Sequence, residues 1–301
     1  MDLAPLKLGA HTSIAGGLHK ALERGRAGGC DVIQVFTGSS RAWARRPIRD
    51  EELLAWSDAR ARTGVEPAMS HACYLINLAT PSPTAWRNAK QQLALELERC
   101  RQLAIPRLVI HPGSHMHAGE AAGVARIARA VREVLLERPD DPTVLLLENT
   151  AGQGTCVGHR FEHLRDLLAA IDLPGRVAVC LDTQHLHAAG YPISSPAEWE
   201  ASMALFERVV GPGMVRAWHV NDSLRPLGSR VDRHAHLGRG LVGVGAFRCL
   251  VRDPRFRGLP MALETPKETE RCDQRNLRVL RRLDVTPPPR RRKLAHAGGV
   301  R

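Results

Sequence analysis

The stretch TVLLLEN, residues 143–149, reads as a strand buried on both faces. Its apolar run is too short for a core helix, shows no polar alternation, and stops at a carboxylate, Glu148. Seven further short apolar runs recur along the chain. In order the eight are KLGAH (7–11), DVIQVFTG (31–38), PAMSH (67–71), RLVIH (107–111), TVLLLEN (143–149), RVAVCLD (176–182), MVRAWHVND (214–222) and PMALET (260–265). Between them lie stretches with apolar residues at helical spacing, among them 51–64, 85–104, 121–138, 161–171 and 197–210. A doubly wound open sheet would accept this alternation, but eight βα units in about 280 residues match the size of a barrel better. The expected architecture is α/β: a single (β/α)8 TIM barrel over residues 1–284, with its chemistry at the C-terminal mouth of the strands.

The remaining segment, VTPPPRRRKLAHAGGVR (285–301), is rich in Pro and Arg and is expected to be a disordered basic tail. It supplies five of the twelve excess positive charges of the 301-residue chain, at Arg290, Arg291, Arg292, Lys293 and Arg301. The basic balance that is left in the body still favours a polyanionic partner. No apolar run approaches the ~20 residues of a membrane-spanning helix. The N-terminus carries no export or organelle signal, so the expected location is cytoplasmic. Seven scattered cysteines without a CxxC pair argue against a disulfide framework or a thiolate zinc site.

Six of the eight runs end, or nearly end, on His11, His71, His111, Glu148, Asp182 or Glu264, and a seventh carries His219. With the loop residues His185, Asp232 and His234, nine side chains stand out: His71, His111, Glu148, Asp182, His185, His219, Asp232, His234 and Glu264. Imidazoles and carboxylates without thiolate suit zinc or manganese, and so many converging on one mouth would hold more than one ion. Asp182 and His185, three apart, can face one cavity after a single helical turn, and Asp232 and His234 point the same way in an extended loop. Carboxylates closing buried strands also require a cationic partner. His11 is assigned a supporting role, and the remaining histidines, His187 and His236 included, are read as structural or loop residues. Gly238, Gly240 and Gly243 spell GxGxxG but follow a loop, so a dinucleotide site lacks its context, and the sequon Asn221-Asp222-Ser223 carries no meaning in a cytosolic chain.

The motifs GAHTSIAGGL, HACYLINLA, IHPGSH, LLENTAGQG, LDTQHLHAAGY, WHVNDS, VDRHAHLGRG and ALETP, in this order, resemble the endonuclease IV family of apurinic/apyrimidinic endonucleases from about residue 8 to residue 283. The resemblance implies a trinuclear zinc cluster, with manganese an alternative at one site. It puts His71 and His111 on one ion, Asp182, His219 and Glu264 on a second, Glu148 bridging the two, and His185, Asp232 and His234 on the third. It further implies hydrolysis of the phosphodiester 5′ to an abasic site in duplex DNA, giving a 3′-hydroxyl and a 5′-deoxyribose phosphate, with a 3′-repair diesterase activity beside it. Glu148 and Glu264 would be the catalytic carboxylates, and the enzyme would act as a monomer without a nucleotide cofactor or membrane partner. Arg41 matches the family's minor-groove arginine, with Arg45 and Arg46 close by as alternatives, while Tyr74 and Leu75 match its intercalating pair. Core packing is the competing reading of Tyr74 and Leu75. The alternatives to the nuclease are a single-metal sugar isomerase or epimerase on the same barrel, needing only Glu148, Asp182, His219 and Glu264, and a non-catalytic DNA-binding protein, which would be expected to have lost some of the nine ligands.

Overall fold

The computed structural model describes residues 4–38 and 46–285. Its strands are β1 (Lys7–His11), β2 (Val32–Val35), β3 (Glu66–His71), β4 (Arg107–Ile110), β5 (Gly113–Ser114), β6 (Val144–Glu148), β7 (Cys156–Val157), β8 (Val177–Asp182), β9 (Val215–His219), β10 (Asp222–Ser223), β11 (His234–Ala235) and β12 (Pro260–Leu263). The helices are α1 (His19–Gly28), α2 (Asp50–Thr63), α3 (Pro83–Gln102), α4 (Glu120–Leu136), α5 (Phe161–Ile171), α6 (Thr183–Ala189), α7 (Pro196–Val209), α8 (Val244–Arg252) and α9 (Cys272–Asp284). Eight strands close into a barrel in the order β1-β12-β9-β8-β6-β4-β3-β2, every ladder parallel. The eight expected runs are these eight strands, so the TIM barrel stands.

Two cores hold it together. The larger lies between the barrel and its helices, where Leu145 and Leu147 of β6 meet residues such as Ile127, Val131, Leu164 and Leu167. The smaller fills the barrel interior with Met69, Val109, Leu146, Ala178, Cys180, Ala217 and Ala262. Gly9 permits the closing approach of β1 to β2, since a Cβ there would overlap the Val32 carbonyl oxygen. Local chemistry sets the helix starts: Ser82 Oγ accepts from Ala85 N ahead of α3, and Ser195 and Glu198 form a reciprocal capping box at α7.

Two small ribbons above the strand ends were not foreseen. β5 pairs antiparallel with β7, and β10 with β11. The run 214–222 is consequently two elements, because the flanking strands end at Asp182 and Leu263, leaving Asp222 and Ser223 to pair with β11 instead. Among the described residues no helix is long and apolar enough to cross a membrane. Five of the seven cysteines are buried.

Candidate functional site

Strand periodicity builds the mouth. The inward-facing Met69, Val109, Leu146, Cys180, Ala217 and Ala262 of the barrel core are each followed two residues later by His71, His111, Glu148, Asp182, His219 and Glu264. Since side chains alternate faces along a strand, a residue two beyond an inward residue points inward too, one layer nearer the open end. The other three come from loops. Asp182 Oδ1 accepts from His185 N (2.9 Å), capping α6, and this turn brings His185 over the barrel. The β10–β11 ribbon, with Ser223 opposite His234, folds Asp232 and His234 back across the mouth.

Three sets of potential ligand atoms result, each set within 4.8 Å: His71, His111 and Glu148; Glu148, Asp182, His219 and Glu264; and Asp182, His185 and His234. Glu148 is common to the first two and is fully buried. Its Oε2 lies 3.1 Å from both His71 Nε2 and His111 Nε2, while its Oε1 lies 2.8 Å from His219 Nδ1 and 3.2 Å from His185 Nδ1. Asp232 stands beside the third set, 3.4 Å from His185 Nε2 and 3.2 Å from His234 Nε2. Those two buried nitrogens nevertheless have no hydrogen-bond partner, because the approach to Asp232 has ion-pair distance without hydrogen-bond geometry. Unpaired buried imidazole nitrogens facing a carboxylate are the arrangement a cation would complete.

The charges are strongly coupled. Burial alone would raise the Glu148 carboxyl, but the charges of His219 and His111 and the hydrogen bonds from His111 and His185 hold it well below the usual carboxylate range. Glu264 and Asp232 are likewise held low despite burial, Glu264 chiefly by the charge of His219 and Asp232 by its close pairing with His185 and His234. Conversely, burial would depress His234, yet its close pairing with Asp232 and the charge of Asp182 push it up to about 9.

Several polar residues that the sequence did not single out fasten this array. Asn149 Oδ1 accepts from Asp182 N (2.6 Å), and Asn149 O lies 2.9 Å from His185 Nδ1. Asn221 Nδ2 donates to Asp182 Oδ2 (2.6 Å), and its Oδ1 accepts from Glu264 N (2.8 Å). Asn149 directly follows Glu148, and Asn221 sits two residues after His219, so adjacency to strand-end ligands was the available signal. The GxGxxG segment has an internal use: the backbone N–H groups of Gly238 (2.9 Å) and Gly240 (3.1 Å) donate to Asp222 Oδ2, and those of Val242 (2.9 Å) and Gly243 (3.4 Å) to Oδ1. A glycine loop that cradles an anion here cradles the protein's own carboxylate. His187, expected in a loop, is buried within α6.

Tyr74 and Leu75 lie beside the mouth, Tyr74 with its ring 6.1 Å from that of His71. They are 67% and 38% exposed, so core packing does not account for them. Arg41 and Arg45 fall outside the described residues, whereas Arg46 is engaged by Glu52 at 2.5 and 2.7 Å. His11 ends β1 within 3.0 Å of Gln34 and 3.5 Å of Glu264. A further group, His236, Glu268 and Cys272, stands apart from the mouth, and its donor atoms are engaged by protein: Asn276 Nδ2 on His236 Nδ1 (2.9 Å) and Arg275 on Cys272 Sγ (3.1 Å).

The chain matches, over residues 22–283, the family described as Xylose isomerase-like TIM barrel. It is 48% identical over 278 residues to the probable endonuclease 4 of Chloroflexus aggregans, covering 92% of this chain and 97% of that one. The probable endonuclease 4 of Geobacter sulfurreducens is 43% identical over 277 residues, covering 92% and 94%. Among solved structures, endonuclease IV from Thermus thermophilus superposes with a TM-score of 0.81 at 37% identity, covering 92% of this chain and 98% of that one. A D-tagatose 3-epimerase-like protein shares the fold at a TM-score of 0.71 and 16% identity, covering 92% and 97%.

Proposed function

Because this chain belongs to the endonuclease IV family of DNA-repair endonucleases, we propose that it cleaves duplex DNA on the 5′ side of abasic sites, using three zinc ions held at the barrel mouth. The observation that carries the reading is Glu148, whose two oxygens face two separate ligand sets, with a third set adjoining through Asp182. Nine side chains able to bind metal converge where a one-metal sugar isomerase would need four, which counts against that alternative. His71 and His111 would hold one ion, Asp182, His219 and Glu264 a second, Glu148 would bridge them, and His185, Asp232 and His234 would hold the third. Manganese could replace zinc at one of these sites. Bound there, the ions would supply Lewis acidity and water activation at neutral pH.

The chain's own residues do the rest. Glu148, buried and kept ionised by its histidines, fixes the spacing of the ligand sets. Glu264 is ionised and less enclosed, so its carboxylate can orient the attacking water as well as bind. Tyr74 and Leu75 would wedge into the unstacked duplex, with Arg41 in the minor groove. A sugar lacking its base would leave the helix at lower cost than a normal nucleotide, which gives selectivity. Removal of 3′-blocking groups would use the same mouth. The test is cleavage of a duplex with one tetrahydrofuran abasic analogue, after chelation and after zinc is restored. Tetrahydrofuran cannot undergo β-elimination, so a zinc-restored cut immediately 5′ to it with a 3′-hydroxyl end supports the reading, and no cut by metal-loaded protein overturns it.

A further inference from the structure

Of the eight barrel strands, β2 alone sends neither imidazole nor carboxylate into the mouth: its inward residue is Gln34, fully buried. The amide touches two members of the array, Glu264 and His219, and the neighbouring His11. Gln34 Nε2 lies 2.6 Å from Glu264 Oε1 and 3.0 Å from His11 Nδ1, and Gln34 Oε1 lies 2.7 Å from His219 Nε2.

Hydrogen-bond chemistry allows one consistent assignment of these contacts. An ionised carboxylate can only accept, so the NH2 end of the amide must face Glu264. The carbonyl end is then committed to His219, and His219 Nε2 must carry the proton that this oxygen accepts. His219 Nδ1 faces Glu148 Oε1 (2.8 Å), Glu264 Oε2 (3.4 Å) and Asp182 Oδ2 (4.0 Å) and donates to the ionised Glu148, so with the Nε2 proton held by Gln34 it is Nδ1 whose lone pair would be given to a bound cation. The second amide proton goes to His11 Nδ1, which keeps the His11 proton on Nε2 and explains why this strand-end histidine supports the site without joining a ligand set.

We infer that Gln34 is a positioning residue of the mouth: its amide fixes His219 as an Nδ1 ligand and pins the Glu264 carboxylate in the rotamer that faces the same point. This goes beyond the proposed function and rests on it for the metal held at the mouth and for the cleavage readout. Partners that fix a ligating imidazole typically govern metal affinity or activity by roughly 10- to 100-fold.

The test uses full-length protein. Gln34→Met keeps the size of the side chain and removes all three contacts; Gln34→Glu keeps an acceptor for His219 but sets a carboxylate against Glu264. Zinc affinity is measured by competition with a chelating dye, and kcat and KM on the tetrahydrofuran duplex are measured separately. Both variants are expected to bind zinc about 10- to 100-fold more weakly, with the loss of activity falling on kcat and KM changing less than about twofold. Zinc affinity and kcat equal to wild type in either variant would overturn the inference. If Gln34→Met fails to fold, Gln34→Glu supplies the measurement. Independently, zinc-loaded wild-type protein labelled with 15N-histidine should show His219 as the Nε2–H tautomer, and an Nδ1–H tautomer would overturn the inference outright. Dye competition and tautomer involve no DNA, so their success alongside absent cleavage would sink the endonuclease reading and leave the role of Gln34 intact.

Discussion

Asp222, which in sequence is only the middle residue of an Asn-Asp-Ser sequon, anchors the loop beside the ligand ribbon. Its buried carboxylate accepts from five backbone N–H groups: Ser223 (2.9 Å), Gly238, Gly240, Val242 and Gly243. Ser223 and Val242 are buried, whereas the glycines are partly or fully exposed and could turn to water. In Asp222→Ala the two buried donors lose their acceptor at about 1–3 kcal/mol each, so the expected cost is about 4 kcal/mol. Asp222→Asn has the same shape. Its best orientation keeps the oxygen on Ser223, Val242 and Gly243, but the NH2 then meets the N–H groups of Gly238 and Gly240, donor against donor. A loss of about 2 kcal/mol is expected even for this isosteric change. Urea unfolding of chelated protein, followed by tryptophan fluorescence, measures both values. Zinc content after dialysis provides a second readout, because β10 carries Asp222 and pairs with the strand bearing His234. If Asp222→Asn is within about 0.5 kcal/mol of wild type, the carboxylate is not the organising anion of this loop.

Other predictions bear on the site directly. Glu148→Gln should abolish cleavage while leaving duplex affinity within a few-fold of wild type in a gel-shift titration; near-normal turnover would refute its bridging role. Tyr74→Ala, at an exposed position, should leave the unfolding midpoint unchanged and weaken binding to abasic duplex more than to intact duplex. In the metal-free protein His234 is raised to about 9, so its pairing stabilises fully below the unfolded value near 6.5 and is lost as pH rises through about 9. Thermal unfolding of chelated protein should therefore weaken across that window, and Asp232→Asn should flatten the dependence. Deleting residues 287–301, which carry five positive charges, should reduce the slope of log affinity against log salt.

The barrel was legible because each buried strand is a contiguous apolar run and each helix an amphipathic one, signals that survive without knowledge of any partner. The strand-end ligands were legible for a related reason: polar residues closing such runs have nowhere to go but the mouth. Parity was not legible, since Leu145, Leu146 and Leu147 are equally apolar and only closure of the sheet makes Leu146 inward and thereby aims Glu148. Gln34 escaped notice because an amide inside an apolar run gives no sign of its partners, and Glu264 and His219 lie 230 and 185 residues away. The glycine motif and Asp222 show the same limit, as an anion cradle looks alike in sequence whether its anion is a ligand's phosphate or a carboxylate of the same chain. Sequence thus determined the elements and the kinds of chemistry at their ends, because those depend on local hydrophobic pattern and residue type. Which atoms face one another was decided only by the closed barrel, because hydrogen-bond and charge partners are set by distances across space that the order of residues does not encode.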